Sequence, residues 1–92
     1  VNPMFLLPAA LAARGEAIAT GWAGSLTMGA GQFCTNPGIA VLIDGPEADA
    51  FVAAARTALS VIGPQTMLTD GIADAFRQGR HRIARGSGVR SV

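Results

Sequence analysis

Two short runs of uninterrupted apolar residues, Met4-Phe5-Leu6-Leu7 and Ile39-Ala40-Val41-Leu42-Ile43, constrain the fold of this chain more than any other feature. The first is bounded by Asn2-Pro3 and Pro8, the second by Pro37-Gly38 and Asp44-Gly45-Pro46. Neither alternates polar with apolar, so both read as strands, expected to be buried on both faces. Between them, Ala9 to about Met28 places Ile18, Trp22 and Leu26 four residues apart, on one face of a helix. Strand, helix and strand make a crossover unit, which joins parallel neighbours and is almost always right-handed. Gly15, Gly21 and Gly24 each weaken that helix by up to about 1 kcal/mol relative to Ala. Packing must then hold it, and the glycines are expected to mark close approach of another backbone.

Beyond the second strand, Pro46 suits a first helical turn, and Glu47 and Asp49 complement the positive end of the helix dipole. Phe51, Ala55, Leu59 and Ile62 form an apolar stripe that Gly63-Pro64 brings to a stop. A third helix is expected from near Thr69 or Asp70, burying Ile72, Phe76 and Ile83. It would carry Arg77, Arg80, Arg82 and Arg85 outward as a solvated face. From Arg85 onward the sequence has no period and reads as loop or frayed end.

No charged residue occurs between Glu16 and Asp44, a gap long enough to raise the question of a bilayer span. A spanning helix needs roughly 20 mainly apolar residues with every backbone group satisfied internally. Asn36-Pro37-Gly38 breaks the interval, and Thr20, Ser25, Thr27, Gln32 and Thr35 dilute it, so a membrane is not expected. The 92 residues are 50% hydrophobic and only 14% charged, which excludes disorder. A net charge of +1 offers no basic field for nucleic acid. One Cys and one His exclude an internal disulfide and a zinc site built from several such ligands. Val1 to Leu7 has no basic start and is interrupted by Pro3, unlike a secretory signal. The expected compartment is the cytoplasm.

The elements sum to an α/β piece in the order strand, helix, strand, helix, helix. Two strongly apolar strands need helices on both faces and further strands at their edges. Three helices cannot supply that cover. A free two-stranded parallel sheet leaves ladder groups unpaired and apolar surface wet. The expectation is a segment of a larger α/β domain, or a chain with an obligate partner.

Gly29-Ala30-Gly31-Gln32-Phe33-Cys34-Thr35-Asn36-Pro37-Gly38 is where chemistry could sit. A thiol stands there between a helix end and a strand, with glycines that let backbone come near a ligand. Read from the residues alone, Cys34 is either a small inert hydrophobe or a reactive group. His81, the one histidine base available to it, lies on the Arg-rich helix expected to face water, which disfavours a Cys and His pair. Gln32 and Asn36 are expected to hydrogen-bond the loop backbone.

The string Gly31-Gln32-Phe33-Cys34-Thr35-Asn36-Pro37-Gly38 resembles the nucleophile segment of the aldehyde dehydrogenase superfamily, whose pattern is Gly-Gln-x-Cys after a long helix. Within it, the string is most similar to the subgroup that oxidises 2-oxoglutarate semialdehyde (2,5-dioxovalerate). Val1-Asn2-Pro3 and the apolar run after it resemble the stretch directly after the family's Glu-Leu-Gly motif, at a fitting distance from Cys34. The similarity continues through the second strand, the second helix and Met67-Leu68-Thr69-Asp70.

That resemblance implies part of the three-layer α/β/α catalytic domain, with residues 1–92 in one nucleophile-bearing domain and the cofactor-binding domain absent. It makes Cys34 the nucleophile, attacking an aldehyde to give a thiohemiacetal, then a thioester after hydride passes to NAD or NADP, then the acid after hydrolysis. The Cys34 backbone N–H matches one oxyanion donor. Phe33 and Thr35 take positions that shape the aldehyde tunnel, although simple packing remains open for both. The family's general-base Glu would precede Val1, and the second oxyanion donor, an Asn, is also missing. The segment alone is therefore expected to bind no cofactor and to be inactive, its partners being an aldehyde and the rest of a dehydrogenase that commonly forms homo-oligomers. The alternative is a non-enzymatic packing module, truncated or a pseudo-enzyme, with an inert Cys34.

Overall fold

The computed structural model describes residues 2–92. Strand β1 (Pro3–Leu6) leads into helix α1 (Pro8–Thr27), followed by a 3-10 turn (Met28–Gly31), strand β2 (Ile39–Leu42), helix α2 (Pro46–Ser60) and helix α3 (Asp70–Ala84). The strands pair in parallel, Pro3 opposite Ile39 and Leu6 opposite Leu42. Parallel pairing is what a helical crossover between two strands produces.

Alternation within that register decides which sheet face is covered. Met4, Leu6, Ala40 and Leu42 join Leu11, Ile18, Ala19 and Trp22 of α1 and Phe51 and Ala55 of α2 in one apolar cluster. The opposite face is bare: Phe5 is 69% exposed and Val41 41%, with Ile39 also exposed. The expectation of strands buried on both faces is thus corrected. An unbroken apolar run shows that both faces are oily, whereas cover depends on which elements are present, and α1 and α2 both serve the same face.

Helix α1 is rich in Ala, the best helix former, and opens with Pro8 in its first turn. Its backbone departs from helical geometry at Arg14 (φ −154°), beside Gly15. The expected close backbone approach at the α1 glycines is not found. A Cβ at Gly21 or Gly24 would meet no heavy atom within 4 Å, and one at Gly15 would meet only Leu11 Cβ at 3.9 Å. Gly21 and Gly24 lie on the exposed side of α1, while the buried small residues are Ala19 and Ala23. Ala19 shares the core cluster with Ala55 of α2, where Trp22 and Phe51 meet with ring centroids 5.8 Å apart.

Thr69 caps α3, its Oγ1 accepting the Ile72 N–H at 3.2 Å. The expected burial of Ile72, Phe76 and Ile83 is a second correction: all three are exposed, Phe76 by 55%. Helical periodicity identifies a face that wants cover without saying which polypeptide covers it, and no residue of α3 is buried. The arginine face is as expected, with Arg77 pairing Asp74 at the surface. Among the described residues no helix is long and apolar enough to cross a membrane.

Candidate functional site

The segment between α1 and β2 is shaped by an unusual backbone. Gly29, Ala30 and Gly31 all have left-handed φ values, 57°, 56° and 75°. For Ala30 this conformation costs roughly 1–2 kcal/mol, because its Cβ crowds the following carbonyl oxygen. Such strain persists only where surrounding bonds over-determine it. Here they do. The Ala30 N–H donates to Gln65 Oε1 at 2.7 Å, and the Gln32 N–H donates to the Gly29 carbonyl at 3.1 Å.

Gly29 has a further constraint. A Cβ there would stand 2.8 Å from Phe33 Cε2, so glycine is what lets the Phe33 ring fold back over the turn. Gly29→Ala is expected to expel that ring toward solvent and to cost about 1–2 kcal/mol from the left-handed φ. Thermal melting of the full-length protein, with the fluorescence of a solvent-sensitive probe at the loop measured beside it, checks both effects.

Downstream, Asn36 is the buried polar residue that ties the loop to its helix. Its Nδ2 donates to the Leu26 carbonyl at 2.7 Å, its backbone N–H donates to the Phe33 carbonyl at 3.0 Å, and its carbonyl accepts from the Asn2 N–H at 2.9 Å. Asn2 makes a second attachment, Nδ2 donating to the Cys34 carbonyl at 3.1 Å. The Trp22 indole N–H donates to the Pro37 carbonyl at 2.8 Å. Asn36→Ala is expected to destabilise the protein by roughly 1–3 kcal/mol, since it strands the Leu26 carbonyl; a urea denaturation midpoint reads this directly.

Cys34 sits at the crest of this framework as an exposed, free thiol. Its backbone N–H makes no hydrogen bond among the described residues, which leaves a donor beside the sulfur. Phe33 and Thr35 flank it, both exposed. Gln32 bonds the loop backbone as the sequence suggests, its Nε2 reaching the Gly29 carbonyl at 3.3 Å, whereas the Asn36 amide bonds the Leu26 carbonyl of α1 instead. His81 is not brought to the thiol's surroundings: it lines a separate depression with Asp70, Arg77 and Arg80. A larger cleft of about 630 Å³ lies behind the loop, between Leu26, Asn36, Leu59, Met67 and Phe76, and Cys34 does not line it. Among the described residues no group of His, Cys, Asp or Glu side chains converges as metal ligands would.

Asn2, Trp22 and Gln65 were not legible as loop anchors. For Trp22 a signal existed, because a part-buried indole N–H needs an acceptor. An exposed Asn or Gln carries no such requirement.

No family model matches the chain. Among curated proteins it is 56% identical over all 92 residues to alpha-ketoglutaric semialdehyde dehydrogenase 2 of Azospirillum brasilense. It is 38% identical, again over all 92 residues, to alpha-ketoglutaric semialdehyde dehydrogenase of Acinetobacter baylyi. The chain is similar to these two semialdehyde dehydrogenases along its whole length. It spans 18% of the length of each of these relatives. The resemblance to semialdehyde dehydrogenases carried by the Gly31–Gly38 string therefore extends from β1 to the tail. The bare sheet face and α3 present exposed apolar side chains, among them Phe5, Ile39 and Phe76.

Proposed function

We propose that residues 1–92 form the nucleophile-bearing part of the catalytic domain of an NAD(P)-dependent aldehyde dehydrogenase, acting on a semialdehyde such as 2-oxoglutarate semialdehyde. Support comes chiefly from the free, exposed Cys34 on a loop tied down at its neighbouring residues, within a chain alike throughout to dehydrogenases of that name. In this reading the Cys34 thiolate sulfur bonds to the aldehyde carbon while the carbonyl π pair moves onto oxygen. The thiol proton leaves to solvent. The Cys34 N–H, without another acceptor among the described residues, is placed to meet the developing oxyanion. Phe33 and Thr35 border the approaching aldehyde.

The described residues do not fit a dinucleotide. Of the two turns that lead from a strand into a helix, the first is Leu7-Pro8, with no glycine. The second, Asp44-Gly45-Pro46, opens a helix with Glu47 and Asp49 in its first turn, whose charge opposes a pyrophosphate. NAD or NADP would be held by other polypeptide of the enzyme, with no binding group contributed by the described residues. Cytoplasmic location, homo-oligomeric assembly and an aldehyde as the small-molecule partner belong to the same proposal. The relatives' names favour it over a non-enzymatic packing module with an inert Cys34. Serine substitution of Cys34 in the full-length protein, assayed as aldehyde-dependent NAD(P)H formation, is the test.

A further inference from the structure

The left-handed turn before Cys34 is tied to a stretch of chain far away in sequence by two bonds that run in opposite directions. Gln65 Oε1, in the connector between α2 and α3, accepts the Ala30 N–H at 2.7 Å. Gln32 Oε1, in the loop itself, accepts the Leu68 N–H of that connector at 3.1 Å. Each glutamine thus takes a backbone donor from the other's segment. The Gln32 amide is held for this by its own Nε2, which donates to the Gly29 carbonyl at 3.3 Å.

We propose that Gln65 is a positioning residue for the Cys34 loop, acting with Gln32 as a reciprocal clamp that fixes the strained Gly29-Ala30-Gly31 turn and so sets the direction of the thiol and of the Cys34 N–H. Ala30 is the one non-glycine residue with positive φ among those described. Its N–H is also the atom Gln65 engages, so the clamp acts at the point of greatest strain. A turn that can relax there rotates the next four residues, and catalytic groups lose rate quickly when displaced by about 1 Å. No side chain of the connector needs to touch substrate for this.

The proposal rests on the reading of Cys34 as nucleophile for its activity readout, and on geometry alone for its chemical one. The experiment compares Gln65→Leu and Gln65→Glu with the parent in the full-length enzyme, measuring kcat, KM for aldehyde and cofactor, the rate of Cys34 alkylation by iodoacetamide, and the melting temperature. Leucine removes the acceptor at similar size; glutamate restores an acceptor oxygen. Gln65→Leu is expected to lower kcat about five- to tenfold, the scale of one lost hydrogen bond, with KM for the cofactor unchanged and the alkylation rate altered. Gln65→Glu is expected to recover most of both. Gln65→Ala carries the same comparison should the leucine variant fail to fold. Unchanged kcat and alkylation in the leucine variant, a lowered melting temperature alone, or a glutamate variant as impaired as leucine would each overturn the clamp. Retained turnover in Cys34→Ser would instead remove the nucleophile reading, while an altered alkylation rate in Gln65→Leu would still establish the loop's dependence on Gln65.

Discussion

On the proposed reading of Cys34 as nucleophile, Cys34→Ser in the full-length protein is expected to lower turnover by at least about a thousandfold while leaving the fold intact. A thiol reaches its strongly nucleophilic anion far more readily than a hydroxyl does. A serine hydroxyl supplies almost none without a dedicated base. No such base stands close by: His81 lines another depression, and the described residues near the thiol are amides, Thr35 and Phe33. Because Cys34 is exposed and its side chain packs in no core, exchanging sulfur for oxygen disturbs little else. The measurement is aldehyde-dependent NAD(P)H production, with circular dichroism and melting temperature as controls. Turnover within tenfold of the parent, in a properly folded variant, would remove Cys34 from the chemistry.

Phe51→Ala has the largest expected effect on stability, about 3–5 kcal/mol. Phe51 is only 2% exposed and lies where α1, α2 and the covered sheet face meet. Removing its ring opens a cavity against Leu6, Leu11 and Ala19 and ends the tilted aromatic contact with Trp22. Ala neighbours cannot extend into the gap. Trp22 holds the Pro37 carbonyl, so the loss reaches the Cys34 loop as well. A fall in melting temperature with a larger fall in activity is expected on gentle warming. Val52→Ala, at a half-buried position on the same helix, provides the comparison: an equal loss there would show that the ring has no special place in the core.

Much of this architecture could be read from residue order, and the reasons differ from element to element. The α2 stripe through Phe51, Ala55 and Leu59 was legible because one face of that helix meets its partner within the chain. The Thr69 cap of α3 was legible because it is local chemistry. The exposure of Ile72 and Phe76 was not, since helical periodicity marks an apolar face without saying whether anything covers it. The α1 glycines misled for a related reason: absence of a side chain permits close approach without supplying a neighbour. Around Cys34, the string from Gly31 to Gly38 pointed to the loop. Its attachments through Asn2 and Gln65 could not be read, because an exposed amide can choose among many acceptors and donors and only the folded backbone decides.

The thiol's immediate setting is written by stretches of chain far apart in sequence: the beginning through Asn2, the later part of α1 through Trp22, and the α2–α3 connector through Gln65. A single sulfur is thereby wired to report on distant regions at once. Damage at any of them, whether by heat, a protease cut or a substitution remote from the sulfur, is read out as a change in how fast one atom reacts.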